Sequence, residues 1–266
     1  MNPAGLATAP RPTMLATGFV AGCLSGLLGI GGGLVVGPVL LLRGLSLRMA
    51  TGTALAMVPG VALVGAITEQ LQGAFLMPWG LVLAVALGGP FGLRLGQAVS
   101  RRLSDQKLWL AFLLLLACTL VRLVWPAEGH HGQGGWLAAG SSLGYLVAIA
   151  AGGLAGIAAV LFGVGGGVLV VPILAFSLPE LGFAEASAVS LAAMVPTASL
   201  GLVEVWKSQR LAKAWLWPLL CGGAPGAVCG VLLRGQVLSP RTLELVFAAF
   251  LLYVLFRLWQ GRSARG

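Results

Sequence analysis

The sequence predicts an all-α polytopic membrane protein of two inverted repeats. Each repeat is a glycine-broken re-entrant hairpin plus three transmembrane helices, giving eight hydrophobic segments by the conventional count. Three observations predict it: a composition too apolar for a soluble chain, an internal duplication, and a one-sided distribution of basic residues.

Of the 266 residues, 58% are hydrophobic and 9% charged, and the mean hydropathy is +0.99. Soluble domains carry about 25% charged residues, so this chain has too little polar surface to cover one and belongs in a bilayer. Its net charge of +9 falls mostly in short gaps between apolar runs. That is the pattern of cytoplasmic loops, not of a nucleic-acid interface. Cys23, Cys118, Cys221 and Cys229 lie inside apolar stretches without a CxxC pair, so they read as small hydrophobes rather than a zinc or redox site. "VAGC" ending at Cys23 imitates a lipoprotein cleavage site, but the segment recurs later in the chain and reads as part of the fold.

The chain divides into a first repeat (1–125), a polar linker (126–136) and a second repeat (137–266). Sliding the sequence on itself aligns "GIGGGLVVGP" (29–38) with "GVGGGVLVVP" (163–172), and "ALAMVPG" (54–60) with "LAAMVPT" (191–197). Gly88, Gly89, Gly92 and Gly96 fall on Gly222, Gly223, Gly226 and Gly230. Self-similarity over this length marks a duplicated architecture. In order, each repeat holds a broken apolar segment (14–42; 137–178) and three intact runs: 49–68, 78–99 and 107–125, then 187–206, 214–233 and 241–259. Runs of about twenty apolar residues are long enough to span a bilayer, so six spans are expected. The linker's Glu128, His130 and His131 lack the spaced partners of a metal site, and no metal or cofactor is expected.

Charge decides how the broken segments sit. If each crosses the membrane once, the basic residues divide evenly between the two sides. If each enters and returns on one face, that face collects Arg11, Arg43, Arg48, Arg94, Arg101, Arg102, Lys107, Lys207, Arg210, Lys213, Arg257, Arg262 and Arg265. Arg122, Arg234 and Arg241 are left opposite, with Glu69, Glu128, Glu180 and Glu185. Thirteen against three obeys the positive-inside rule. The halves are then inverted and both termini cytoplasmic.

"GIGGGL" fails the GxGxxG pattern at its last position and no GK[ST] follows, so it is not a nucleotide loop. Gly18, Gly22 and Gly26 step by four, the small-xxx-small pattern of close helix packing. Packing does not explain three consecutive glycines, each costing a helix about 1 kcal/mol relative to alanine. With Pro38 and Pro172 five positions on, they predict a helix interrupted and restarted. Broken backbone at membrane depth survives only where protein buries it or water lines it, and a restarting helix presents free amides and the positive end of its dipole. An anion is the expected ligand. The candidate binding residues are Gly31, Gly32, Gly33, Gly165, Gly166 and Gly167, with the hydroxyls of Ser25, Thr51, Thr53, Ser187, Ser190 and Thr197. Interhelical hydrogen bonding is the ordinary role for such hydroxyls. Glu69, Glu204 and Arg94 are candidates for coupling or gating, against the plainer readings of solvated loop-edge carboxylates and a snorkelling arginine.

The pair "GCLSGLLGIGGGLVVGP" and "GIAAVLFGVGGGVLVVP", with "TGTALAMVP" and "AVSLAAMVP", resembles the sulfite exporter TauE/SafE family of bacterial permeases over nearly the whole chain. The resemblance implies transport of a small sulfur-containing or organic anion, such as sulfite, thiosulfate, a sulfonate or sulfoacetate, across the bacterial inner membrane. Ala159, Val160 and Leu161 stand where the first copy has Ser25, Gly26 and Leu27, so the two hairpins are expected to contribute unequally. No ATP-binding motif is present, so the expected driving force is an ion or substrate gradient, with protons or another ion as the coupling partner. The rival readings are an intramembrane enzyme, for which HExxH and a nucleophile–base set are missing, and a structural membrane subunit whose glycines only pack helices.

Overall fold

The computed structural model describes residues 11–73, 76–102, 140–163, 165–178, 180–209 and 211–236, with scattered residues between 241 and 252. The run 107–125, the linker 126–136 and most of 241–259 lie outside the described residues. Regular structure among the described residues is helical. The first repeat gives α1 (Arg11–Leu28), α2 (Gly33–Leu42), α3 (Leu47–Gln72) and α4 (Trp79–Arg102). The second gives α5 (Ser142–Phe162), α6 (Gly167–Ser177), α7 (Phe183–Lys207) and α8 (Lys213–Gln236).

Local chemistry sets the boundaries. Ser46 and Ser141 accept the N–H groups of Met49 (3.4 Å) and Gly144 (3.0 Å) at the starts of α3 and α5, each satisfying an amide the helix leaves free. At α7 the Glu185 carboxylate accepts from Gly182 N–H at 3.1 Å. Gly73, at φ 59°, turns the chain out of α3.

Among the described residues, five helices are long and apolar enough to cross a membrane: Arg48–Gln72, Trp79–Val99, Ser142–Phe162, Phe183–Lys207 and Lys213–Gly235. Four coincide with intact runs expected from the sequence. The fifth, α5, is the first arm of the second broken segment, and its 21 residues make it longer than a hairpin arm needs to be. Apolar side chains face outward at helical spacing, as Leu83, Leu87, Phe91 and Leu95 do on α4. In water such a face would be a liability; in lipid it is the solvent-facing surface.

The helices fall into two sets by direction. Gly18, Gly22 and Gly26 of α1 lie against Leu219, Gly223 and Ala227 of α8 in ascending order, so α1 and α8 are parallel. Val85 and Gly89 of α4 lie against Gly152 and Gly156 of α5 in the same way. Each α1–α8 pair maps onto an α5–α4 pair when the repeats are exchanged. At the centre α3 runs with α8, since Gly60 meets Leu220 and Gln72 meets Gly235, but against α7, since Gly65 meets Leu191 and Leu55 meets Gly201.

These directions gather charge. Arg11, Arg48 and Lys213 begin α1, α3 and α8 at the end of the bundle where α7 finishes at Lys207. There Lys213 Nζ lies 4.6 Å from the centre of the Trp206 ring. Glu69 and Glu185 belong to the opposite end, in the last turn of α3 and the first turn of α7. Trp79 is exposed at that end, Trp206 and Trp217 at the basic end, as expected of aromatic belts at two interfaces.

A Cβ on Gly22 would collide with the backbone carbonyl of Gly223, whereas a Cβ on Gly37 meets nothing within 4 Å, and the equivalent residue in the second repeat is Val171. Gly22→Ala is therefore expected to destabilise the protein by about 1–3 kcal/mol, the usual cost of overpacking. Gly37→Ala is expected to be neutral or stabilising by up to about 1 kcal/mol. Thermal denaturation of the two variants in detergent distinguishes them.

Candidate functional site

The helix breaks repeat residue for residue. α1 ends at Leu28, and Gly29, Gly31 and Gly32 take φ of 69°, 77° and 70° before α2 begins at Gly33. After α5, Gly163, Gly165 and Gly166 take 68°, 78° and 84° before α6 begins at Gly167. A side chain in this left-handed region costs roughly 1–2 kcal/mol, which is why glycine stands at these positions. Gly29 and Gly163, part of each break, were not among the residues singled out from the sequence, although the G-x-G-G-G spacing contained them.

Each break reverses the chain. Eleven residues of continuous helix would separate Ala21 from Gly32 by about 16 Å, yet a Cβ on Gly32 would lie 3.0 Å from Ala21 O. Gly166 meets Ala155 in the equivalent way, at 2.7 Å. Farther along, Leu40 of α2 shares a core cluster with Met14 near the start of α1.

The two breaks then meet. A Cβ on Gly167 would collide with the Gly29 carbonyl oxygen and with Met194, and Ser190 Oγ donates to that same oxygen at 2.8 Å. Gly29 abuts Ser187 at the start of α7, and Gly163 abuts Thr51 at the start of α3. Gly165 faces Val58 and Met194. Of the predicted residues, the structure thus brings Gly167, Ser187 and Ser190 to the first break at Gly29, and Thr51 to the second at Gly163. Ser25 joins them from the last turn of α1, where its carbonyl accepts Gly29 N–H at 2.8 Å.

The hydroxyls divide into two kinds. Ser190 is committed to Gly29, Thr53 accepts Ala212 N–H at 3.0 Å ahead of α8, and Thr197 donates to Ala193 O at 3.1 Å, two turns beyond Ser190. Ser25 and Ser187 are both fully buried, and neither hydroxyl oxygen has a hydrogen-bond partner among the described residues. A buried polar group is normally paired, so two orphans beside one break are unusual.

Of the ionisable candidates, Arg94 is exposed on α4 and Glu204 is exposed near the end of α7. Glu69 corrects the solvated reading: it is 5% exposed and forms an ion pair with Arg234, itself 4% exposed. Arg234 therefore does not count as a loop charge. It was missed because the two residues lie on helices far apart in sequence that only the tertiary fold brings together.

Residues 2–123 and 148–266 match the family described as "Sulfite exporter TauE/SafE". The chain belongs to the sulfite exporter TauE/SafE family. Membership makes it a membrane transport protein with several apolar helices. It is 28% identical over 267 residues to a "Probable membrane transporter protein" of Xylella fastidiosa (strain Temecula1 / ATCC 700964), covering 94% of this chain and 97% of that one. It is 36% identical over 122 residues to the "Probable membrane transporter protein y4hK" of Sinorhizobium fredii (strain NBRC 101917 / NGR234), covering 44% and 48% of the two chains. Over 111 residues it is 30% identical to the "Probable membrane transporter protein YunE" of Bacillus subtilis (strain 168), covering 40% of each. No solved structure matches.

Removing a hydroxyl tests which ones hold this TauE/SafE fold together. Ser190→Ala leaves the Gly29 carbonyl without its donor and is expected to cost about 1–3 kcal/mol. Ser25→Ala deletes an unpaired group and is expected to cost nothing or to stabilise. Melting temperatures of the two variants measure the contrast.

Proposed function

We propose that the protein is a secondary active transporter that moves a small sulfur-containing or organic anion across the inner membrane by alternating access. One observation carries this reading: the meeting of two broken helices beside the buried hydroxyls of Ser25 and Ser187, which have no partner among the described residues. Helices restarting at Gly33 and Gly167 aim amides without helical partners at the junction, and glycine lets an oxyanion reach that backbone closely. In this reading the anion takes the hydrogen bonds that the two serines lack.

The family name supports an anion of the sulfite class. The opposed directions of α3 and α7, with the exchange of α1–α8 for α5–α4, support two inverted repeats within 1–125 and 137–266. Such repeats provide two similar conformations, open to opposite sides, around a midplane site. The basic residues at one end of the bundle support cytoplasmic termini. The described bundle supports a re-entrant α1–α2 hairpin, and α5–α6 in the same role with a longer first arm.

Flux into proteoliposomes tests the function, with sulfite, thiosulfate, sulfoacetate and sulfate offered separately. Ser25→Ala, Ser187→Ala and Gly166→Ala are expected to lower flux at least tenfold, the first without loss of thermal stability. Wild-type flux from folded Ser25→Ala and Gly166→Ala together would leave the glycines a packing role only. Topology is checked by labelling single cysteines placed in 43–48 and in 180–186. They are expected to react from opposite sides of the membrane, and reaction from the same side rules out inversion.

A further inference from the structure

The Glu69–Arg234 pair leaves donors unused. Arg234 Nη2 is engaged with the Glu69 carboxylate, but its Nη1 is buried without a hydrogen-bond partner among the described residues. Gln72, one turn beyond Glu69 on α3, turns its Oε1 toward Gly235, and its Nε2 is buried and has no partner among the described residues. Two donor nitrogens, one of them on a cation, therefore stand unsatisfied among the described residues where α3 and α8 end side by side. A guanidinium presents five N–H donors and accepts nothing, so its remaining capacity can be met only by an acceptor.

Their position is equally specific. Gly26, in the last turn of α1, packs against Ala227 and Val231 of α8. Arg234 is three residues past Val231, about 5 Å further along the helix, toward the acidic end of the bundle. The group therefore stands just beyond the first break. It is also one-sided, since the repeat places Ser100 where α8 has Arg234.

The geometry points to Arg234 and Gln72 as an anion-binding station at the mouth of the first break, with the Glu69 carboxylate as its tethered occupant. The ligand is a small oxyanion that displaces Glu69 and takes up Arg234 Nη1 and Gln72 Nε2 as additional donors. Only the ligand class rests on the proposed transport function; the station itself is read from these three side chains.

Equilibrium binding of radiolabelled sulfite and sulfate to the purified full chain in detergent tests it without any transport step. E69Q, which keeps the shape of the side chain but removes the competing charge, is expected to bind at least one of them ten or more times tighter than wild type. That gain is expected to vanish in the double variant E69Q/R234Q. E69Q is also expected to be less stable than wild type in chloride and to regain its melting temperature when the tighter-binding anion replaces chloride at equal ionic strength. If neither anion binds E69Q more tightly, if the double variant binds as well, or if E69Q fails to fold in both anions, the pair is only a clamp between α3 and α8. Binding that survives in the double variant reports the helix breaks instead, so the station and the transport site fail separately.

Discussion

Backbone amides and carbonyls cannot be left open to lipid, and the rest of this structure follows from how the chain meets that constraint while breaking two helices. The Gly29 carbonyl, which a continuous helix would have used internally, is closed off by Ser190 Oγ and covered by Gly167. The exposed ends are hidden only because each break is pressed against the other. That arrangement requires glycine on both sides: at Gly29, Gly31 and Gly32 for the left-handed turn, and at Gly167 for the absence of a side chain. It also requires the long central helices α3 and α7 to wall in the junction. Val58 and Met194 do this, while Ser187 and Ser190 supply the polar lining.

Bringing the breaks to the centre in turn fixes the outer packing. For the α1–α2 hairpin to turn inside the bundle, α1 must lie close to α8, which it does along Gly18, Gly22 and Gly26 facing Leu219, Gly223 and Ala227. The counterparts Gly152 and Gly156 draw α5 equally close to α4. Helices in lipid gain little from hydrophobic association, so close backbone approach through small residues is the main source of their cohesion. The glycine-rich composition thus serves two physically different purposes. Left-handed glycines make the breaks, and helical glycines hold the broken hairpins in place.

Much of this was legible in the sequence because it depends on local chemistry. The position of each break follows from a backbone conformation that only glycine adopts cheaply, and the duplication displays the same requirement twice. The caps at Ser46 and Ser141 are equally local, but they were not among the residues singled out from the sequence, which began the second broken segment at 137. What the sequence left open depends on tertiary neighbours. Nothing local distinguishes Ser190, spent on Gly29, from Ser187, which has no partner among the described residues. Thr53 serves Ala212, which lies in the other repeat. Glu69 sits where a solvated helix end is the default, and only the parallel run of α3 and α8 brings Arg234 to it.

The departures from symmetry bear on direction. A transporter with two identical repeats would present the same site to both sides, with no chemical difference between entry and exit. Here the backbone contacts are duplicated while the side chains are not. Ser25 precedes the first break where the second repeat has Ala159, and Arg234 stands where the first repeat has Ser100. Both polar members lie on the α1–α8 side, near the end that carries Glu69. In the proposed mechanism the duplicated backbone supplies two conformations of similar energy, and the polar groups that are not duplicated make one opening attract an anion more strongly than the other. A difference of 1.4 kcal/mol between the two openings is a tenfold difference in affinity. A single guanidinium without a counterpart in the other repeat is enough to supply that without disturbing the paired glycines on which the bundle depends.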